Sequence, residues 1–389
     1  MKCTRILTIL LSLGLAMTAS RPAHAQLTVG GCVKGTTYST IQSAVDAAAS
    51  GSIIKVCPGG YAEQVVINKP LTLEGFIQNG AEGAFVFPPA GGVVQNDSPY
   101  APQVLVKNTS GVTITNLIVD GQNAAPCGVI PMVGIEFHNA SGMVNKVSVH
   151  NQAGLACLAY GFDAVVDFGQ AAQTVTLQNS EFHNQTFYGI YGNGPGLTLN
   201  TLNNYVSGPD NAGTSTVGIA YRSGATGNIQ GNTVVDEIYP QYVFADPELL
   251  GSMGIGVFCT TATVSGNTVS NTQIGIAVGC NTVNGAYTSN STIKSNKVFK
   301  TRLQDAIYIF SNGNKVTNNT LVASGQAGIH LDPTYSVDAS GNTVSGNSIV
   351  EACAGILATG TVTNTLTSNS FSAVDVTTTA GASCGPILQ

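Results

Sequence analysis

The phrase TVSGNTV occupies residues 263–269, and the near copy TVSGNSI occupies residues 343–349. In both phrases an asparagine stands between two short runs of β-branched residues, which favour strands. Asparagine tolerates the left-handed backbone of a sharp corner, so each is predicted to turn the chain between two strands. The arrangement recurs at intervals of 22 to 35 residues, which indicates a repeat-built solenoid. Its asparagines are Asn116, Asn145, Asn179, Asn204, Asn232, Asn267, Asn296, Asn319, Asn347 and Asn369.

A second ladder of Gly-Ile-like pairs runs in phase with the asparagines. Its members are Gly134-Ile135, Gly161-Phe162, Gly189-Ile190, Gly218-Ile219, Gly254-Ile255, Gly275-Ile276, Ala306-Ile307, Gly328-Ile329 and Gly355-Ile356. One coil of about three short strands cannot bury its own apolar residues, so neighbouring coils must stack. The two ladders therefore predict an all-β fold, a parallel β-helix of about ten coils over residues 26–371, right-handed by the general crossover preference. A β-sandwich is the alternative, but its hairpins would not keep two ladders in one register.

Both ends of the chain depart from the repeat. A basic start, an apolar run and the small-residue site Ala23-His24-Ala25 predict a secretory signal over residues 1–25. A capping helix is predicted at about residues 39–50, with Ser39 as N-cap and Gln42 at the capping-box position. Residues 372–389 lose the repeat and are predicted to form the other cap. We therefore expect a secreted protein, extracellular or periplasmic.

Composition excludes several classes of protein. Removing Lys2, Arg5 and Arg21 with the signal leaves 11 basic against 20 acidic residues, which argues against nucleic acid as a partner. After the signal, no apolar stretch reaches the length of a membrane span. The 43% hydrophobic content favours a packed core over disorder. We expect a monomer that needs no cofactor.

Eight cysteines follow the signal, and an even number in an exported chain indicates disulfides. The sequential pairs are 25, 30, 21 and 31 residues apart, close to the repeat length, so each pair could bridge neighbouring coils. Loops of this size could contribute about 3 kcal/mol each. The spacing does not match a zinc site, so no metal is predicted. The cysteines are Cys32, Cys57, Cys127, Cys157, Cys259, Cys280, Cys353 and Cys384.

Residues 38–75 resemble the opening of pectin-lyase-like β-helix proteins, including pectin esterases. The resemblance lies in TIQSAVD at 40–46, KVCPGGYAE at 55–63 and LTLEG at 71–75. It implies a β-helix fold and a superfamily of polysaccharide lyases, hydrolases, esterases and epimerases, alongside adhesins and tailspikes. The superfamily's catalytic signatures are mostly missing. VDFG at 166–169 partly matches the esterase's catalytic aspartate segment, and YGFD at 160–163 matches the first four residues of an alginate-epimerase motif whose Pro and His are here Ala164 and Val165.

Strand alternation predicts which side chains face away from the core. If Ile135, Phe162, Ile190 and Ile219 point inward, two outward columns result: Glu136, Asp163, Tyr191 and Ala220, and beside them His138, Val165, Asn193 and Arg222. The candidate catalytic residues are Glu136, His138, Asp163, Tyr191 and Arg222. Arg222 could neutralise a uronate while His138 or Tyr191 abstracts the adjacent proton, which is lyase chemistry. Alternatively Glu136 and Asp163 could be the acid/base pair of a hydrolase.

The same register exposes a second candidate patch farther along the chain. Tyr308 and His330 share one column, and Phe310 and Asp332 the next. Exposed aromatics could stack on sugar rings, or they could form a ladder that only stabilises the coil edge. Candidate substrate-binding residues are Asn193, Tyr308, His330 and Asp332.

Two functions remain open from the sequence. One is a secreted β-helix protein that acts on or binds polysaccharide, with lyase-like activity on uronate-containing glycans, or hydrolase-like activity if the carboxyl pair reacts. The alternative is a non-catalytic surface or adhesive solenoid that binds a surface glycan. Fold does not separate them, since one fold hosts many functions.

Overall fold

The computed structural model describes residues 26–76, 83–124, 130–153, 158–209, 215–238, 251–280, 287–301, 304–334 and 338–379. The predicted signal at residues 1–25 lies outside these ranges, as do Cys127, Cys157 and Cys384.

Short strands make up most of the described chain. The first twelve are β1 (Gln26–Val29), β2 (Thr36–Tyr38), β3 (Ser52–Val56), β4 (Gly59–Ala62), β5 (Val65–Ile67), β6 (Leu71–Gly75), β7 (Ala84–Phe87), β8 (Ala101–Lys107), β9 (Val112–Thr115), β10 (Leu117–Asp120), β11 (Met132–His138) and β12 (Gly142–Asn145). The next twelve are β13 (Ser148–His150), β14 (Ala159–Val165), β15 (Gln173–Gln178), β16 (Glu181–His183), β17 (Tyr188–Asn193), β18 (Leu197–Leu202), β19 (Tyr205–Ser207), β20 (Val217–Arg222), β21 (Thr226–Gln230), β22 (Thr233–Val235), β23 (Met253–Phe258) and β24 (Ala262–Ser265). The last twelve are β25 (Thr268–Thr272), β26 (Ile274–Gly279), β27 (Thr292–Lys294), β28 (Lys297–Thr301), β29 (Ile307–Phe310), β30 (Lys315–Thr317), β31 (Thr320–Ser324), β32 (Ala327–Leu331), β33 (Thr343–Ser345), β34 (Ser348–Ala358), β35 (Thr365–Thr367) and β36 (Ser370–Thr379).

These strands stack in parallel, as the repeat predicts. One sheet runs β2-β1-β3-β6-β9-β12, continues in steps of three to β33 and ends with β35. The second sheet holds two alternating sets, in which β10 pairs with β13 and β11 pairs with β14, each in parallel. Each coil thus contributes one strand to the first sheet and two to the second. This arrangement confirms the all-β parallel solenoid.

The core lies between the sheets and runs along the whole stack. Ile135, Phe162, Ile190 and Ile219 are fully buried in it, as alternation predicts. The glycine before each of them lies within the same strand. A Cβ on Gly134 would lie 2.5 Å from a Val149 methyl group and 2.6 Å from the Gly161 carbonyl oxygen. Close approach of neighbouring chain segments therefore requires glycine at this position.

The predicted cause of the asparagine ladder, a left-handed backbone at the asparagine itself, is found at two of its ten positions. Asn116 and Asn179 have left-handed backbone, with φ of 55° and 51°. From Asn204 to Asn369, however, the left-handed residue is the one before the asparagine, such as Gly266 before Asn267. The side-chain Oδ1 atom of Asn267 accepts hydrogen bonds from the backbone N–H (2.9 Å) and the side-chain Nδ2 (3.0 Å) of Asn232 on the preceding coil. These buried amides join successive coils, which satisfies polar groups at the corner.

Helix α1 (Ile41–Ala47) is shorter than the predicted helix, and its N-cap is Thr40, not Ser39. The Thr40 side chain accepts from the Ser43 backbone N–H, as an N-cap does. Glu63, 22 residues from Ile41, accepts from the Ile41 N–H (2.8 Å) and the Gln42 N–H (2.9 Å). A tertiary contact therefore supplies the acceptors that the capping box was expected to provide.

At the other end, β36 continues the coil pairing beyond residue 371, where the sequence suggests that the repeat ends. Ser370 pairs with Ser348 and Val376 with Ala354 in parallel register. Val374 packs against the main core, so the apolar pattern persists to that point. Residues 380–389 lie outside the described ranges.

Two predicted disulfides are confirmed, Cys32–Cys57 and Cys259–Cys280. Cys353 is disulfide-bonded as well. Within the described ranges, no helix has the length and apolar character needed to cross a membrane.

Candidate functional site

The two predicted columns lie in register on neighbouring coils. Glu136 pairs with Asp163, Asp163 with Tyr191, and Tyr191 with Ala220. In the adjacent column His138 pairs with Val165, and Asn193 pairs with Arg222. Strand alternation therefore placed these residues correctly relative to one another.

The expectation that this face is open to solvent is wrong for its acids. Glu136 and Asp163 have no exposed surface, and Tyr191 is 7% exposed. The segment that precedes β8 folds over them: Ser98 hydrogen-bonds Glu136, and the Tyr100 ring packs 5.2 Å from that of Tyr160. Alternation shows that a side chain points away from the core, but a covering segment is a long-range contact that no local pattern records.

A chain of polar groups connects the buried Glu136 to the surface. The Ser98 hydroxyl lies 2.8 and 2.6 Å from the two oxygens of Glu136. The Nδ1 atom of His138 is 3.4 Å from Glu136 Oε1, and its Nε2 atom is 2.9 Å from Asp167 Oδ2. The Asp167 side chain is half exposed. We name Glu136, His138, Asp163 and Asp167 the carboxyl site.

Asp163 is the unusual member of the carboxyl site. Burial, and secondarily the charge of Glu136, hold the pKa of Asp163 well above its ordinary value, which favours the protonated acid. Within the described residues neither of its carboxyl oxygens has a hydrogen-bond partner. The neighbouring Ala164 N–H opposes the rise in pKa without meeting hydrogen-bond geometry. Buried carboxyls are normally hydrogen-bonded, so an unsatisfied one suggests function.

The pKa values of His138 and Asp167 both shift in the direction that favours the charged side chain. The hydrogen bond to Glu136 raises the pKa of His138, although burial opposes the rise. The Asn139 amide, and after it His138, lowers the pKa of Asp167. The imidazole thus lies between two carboxylates that favour its charged form. Sequence analysis singled out the VDFG segment but assigned no role to Asp167, because its contact with His138 spans 29 residues.

Aromatic rings surround the acids on the remaining sides. Tyr188 and Tyr191 stack with ring centroids 4.4 Å apart, and Tyr160 contacts both rings. Arg222 is exposed, with its Nη1 atom 3.3 Å from the Tyr188 hydroxyl and its guanidinium 5.7 Å from the centre of the Phe258 ring. Arg222 therefore joins the site through tyrosines rather than through a carboxylate. The buried Asn193 side-chain oxygen has no hydrogen-bond partner in the described part of the chain.

The second predicted patch is also buried, contrary to expectation. Tyr308 is 2% exposed, Phe310 is 7% exposed, and His330 and Asp332 are 1% exposed each. With Asp305 in place of Phe310, these residues form what we call the aspartate–tyrosine patch: Asp305, Tyr308, His330 and Asp332.

Both acids of the aspartate–tyrosine patch are fully engaged. Asp332 accepts from the Tyr308 hydroxyl (3.0 Å), from the Thr334 backbone and hydroxyl (3.0 and 2.6 Å) and from the Thr359 hydroxyl (2.7 Å). Burial alone would raise the pKa of Asp332, but the hydrogen bonds outweigh it and the pKa is lowered. Asp305 accepts from the Ala327 N–H and contacts His330 Nδ1, each at 2.9 Å. These buried rings cannot stack on a sugar in this structure.

A family model described as periplasmic copper-binding protein (NosD) matches residues 172–383, more than half of the chain. No match was found among curated protein sequences.

Several solved structures share the fold. The GH136 lacto-N-biosidase from Eubacterium ramulus is 13% identical over 89% of this chain and 67% of that one, with a TM-score of 0.58. The GH87 alpha-1,3-glucanase from Streptomyces thermodiastaticus is 14% identical over 88% and 66%, with a TM-score of 0.59. DFA-IIIase from Arthrobacter chlorophenolicus is 15% identical over 90% and 99%, with a TM-score of 0.56. With the parallel sheets, these likenesses confirm the pectin-lyase-like β-helix fold.

Proposed function

The chain belongs to the NosD family, and on that premise we propose that it is an exported, periplasmic β-helix protein that acts on a polysaccharide at the carboxyl site. The observation that supports the proposal most strongly is Asp163, a fully buried acid without a hydrogen-bond partner in the described residues. Glu136, which pairs with Asp163 on the neighbouring coil, contacts His138, and His138 contacts the exposed Asp167. A protonated acid beside a carboxylate–imidazole chain is suited to general acid/base work on a glycosidic bond.

On a uronate-containing glycan this chemistry would be β-elimination. Arg222 would neutralise the uronate carboxylate, and His138 in its neutral form would take the proton from the adjacent carbon. Tyr191 is the weaker candidate for the base, because burial raises its pKa and disfavours the phenolate that a tyrosine base needs. The electron pair of that C–H bond forms the new double bond, the glycosidic C–O bond breaks, and Asp163 protonates the leaving oxygen. Asp167 would then pass a proton between His138 and water. The segment holding Ser98 and Tyr100 must move aside for a sugar to reach Asp163.

The description of the matching family names copper. Copper sites are built from imidazole and sulfur ligands brought together. No group of three or more His, Cys, Asp or Glu side chains in the described ranges could hold an ion. Five described cysteines are in disulfides, which removes their thiolates. The described residues therefore do not fit a copper centre.

Incubation with uronate polymers tests the proposal. We expect products that absorb in the ultraviolet, and a loss of about a hundredfold or more in rate for Asp163→Asn and Glu136→Gln. Asp375→Asn, at an exposed position on β36, serves as the matched control. New reducing ends without ultraviolet absorption would replace elimination by hydrolysis. Unchanged turnover in both carboxyl variants would reject the carboxyl site.

The complete burial of Glu136 and Asp163 favours a second candidate, a non-catalytic solenoid that binds a surface glycan. In that case the covering segment stays closed, and the role of Glu136 is to anchor this segment through Ser98. Glycan binding without cleavage of any polymer would support this candidate, whereas turnover would reject it.

We also propose that α1 closes the N-terminal end of a stack of about ten coils. Ile41, Ala44 and Val45 of α1 are buried in the main core, which supports that role.

A further inference from the structure

Phe168 is the most exposed large hydrophobic side chain among the described residues, at 93%. It lies on a tight turn in which the Gln170 N–H donates to the Asp167 carbonyl (3.1 Å) and Gly169 has a φ of 83°. Positive φ at the third position of such a turn is the reason for glycine there. The turn therefore presents an aromatic ring to solvent, where its face is accessible for stacking on a ligand.

The turn is anchored to the carboxyl site on one side. The Asn139 amide oxygen accepts from the Asp167 backbone N–H (2.8 Å), and the Asn139 amide nitrogen donates to Asp167 Oδ2 (2.8 Å). The same Asp167 oxygen contacts His138. Phe168 is thus adjacent in the chain to the surface end of the polar chain that leads to Glu136.

On its other side, the turn borders a shallow depression. Asn139 and Gln170 line it together with Asn108, Ser110 and Gln173. All five are uncharged side chains that can both donate and accept hydrogen bonds, which matches the hydroxyl groups of a sugar. The neighbouring cation Lys107 is paired with Asp97 (2.8 Å). The turn itself carries a half-exposed carboxylate, Asp167, which disfavours an anionic sugar beside it.

From this arrangement we infer that Phe168 and the depression form a subsite for an uncharged sugar unit of the polysaccharide. The apolar face of the sugar ring packs on Phe168, and its hydroxyls bond the amides of Asn139, Gln170 and Gln173. The inference rests on the proposed function only in taking the ligand to be a glycan. It does not require that the carboxyl pair be catalytic. It adds that the polymer carries a neutral unit beside the bond at the carboxyl site.

Calorimetric titration of the Asp163→Asn chain with oligosaccharides tests the subsite independently of turnover. The probes are neutral hexasaccharides (cello-, malto-, laminari-, manno- and xylohexaose) and, as the charged counterpart, hexagalacturonate. We expect a neutral probe to bind, Phe168→Ala to weaken its binding about tenfold, and Phe168→Tyr to retain it. Gln170→Ala should weaken binding about threefold. Tyr205→Ala, at another exposed aromatic residue, should change nothing.

Three results would overturn the subsite: equal affinity in Phe168→Ala, tighter binding of hexagalacturonate than of every neutral probe, or no binding by any neutral probe. A dimer that dissociates in Phe168→Ala, measured by sedimentation, would instead assign the ring to contact between copies of the chain. Failure of the proposed function looks different, because turnover would be absent while Phe168-dependent binding persists.

Discussion

The carboxyl site and the aspartate–tyrosine patch both lie along the second sheet, and each holds a buried aspartate and a histidine, yet the hydrogen bonding of the two buried aspartates is opposite. Asp332 accepts four hydrogen bonds, and its pKa is lowered. Asp163 accepts none from the described residues, and its pKa is raised. A satisfied buried carboxylate stabilises the fold, whereas an unsatisfied one costs stability and persists only with a compensating role. Bonding, rather than burial or residue type, separates a structural acid from a candidate catalytic one.

The strongest test of this comparison is the stability of alanine variants at the two acids. Asp332→Ala leaves the Tyr308, Thr334 and Thr359 hydroxyls without their charged acceptor, so we expect the free energy of unfolding to fall by about 4 kcal/mol. Asp163→Ala removes no hydrogen bond and should cost about 1 kcal/mol or less from the small cavity. Equilibrium urea denaturation measures both values, and Asp375→Ala is the exposed control. Equal losses of unfolding free energy in the two variants would contradict the proposed difference between Asp332 and Asp163.

Glu237 is a third buried acid, and its hydrogen bonding can be compared with that of Asp163 and Asp332. Burial raises the pKa of Glu237 to about 8. The register of β13, β16, β19 and β22 places Glu237 at the position that Gln152 and Gln185 occupy on other coils. Both oxygens of Asp163 are without a partner in the described residues, whereas Glu237 is hydrogen-bonded through Thr216 and only its Oε1 atom is without one there. We therefore regard Glu237 as a structural residue, an acid at a position that other coils fill with glutamine.

Because the folded-state pKa of Glu237 is raised, the folded protein holds this proton more tightly than the unfolded chain does. Its contribution to stability is complete below the ordinary pKa of 4.5 and is lost as pH rises through about 8. From pH 5 to pH 8, the wild type should lose about 3 kcal/mol more unfolding free energy than Glu237→Gln. Denaturation at both pH values measures this difference, with Glu181→Gln as the exposed control. A pH profile that is the same in the wild type and in Glu237→Gln would contradict the assignment.

The smallest expected effect concerns the segment that covers the carboxyl site. Ser98→Ala removes the hydroxyl that donates to both Glu136 oxygens, so unfolding free energy should fall by about 1 kcal/mol. If the segment is a cover that must open, proteolysis within residues 88–100 should become faster while the rest of the chain resists. Ser110→Ala, at the edge of the depression, is the matched control. Uniform sensitivity along the chain would indicate general destabilisation instead.

Much of the geometry followed from repeat spacing. The pairings Glu136–Asp163 and Tyr308–His330 were predicted because side chains two residues apart on a strand share a face and the coils keep one period. Asp167 was not placed beside His138, and the cover at Ser98 was not foreseen. Both are contacts between a strand and a turn or segment 29 or more residues away, and the period carries no information about them.

The sequence by itself determined the parallel β-helix, the inward and outward sides of its strands and two of its disulfides, because each depends on a local pattern repeated many times. The tertiary structure decided which outward side chains are in water. It buried Tyr308 and His330 and left Phe168 exposed. It also gave Asp332 four hydrogen-bond donors, whereas no described residue donates to the carboxyl oxygens of Asp163. Burial and hydrogen bonding depend on what a distant segment places over a residue, and those contacts set the pKa values on which acid/base chemistry depends.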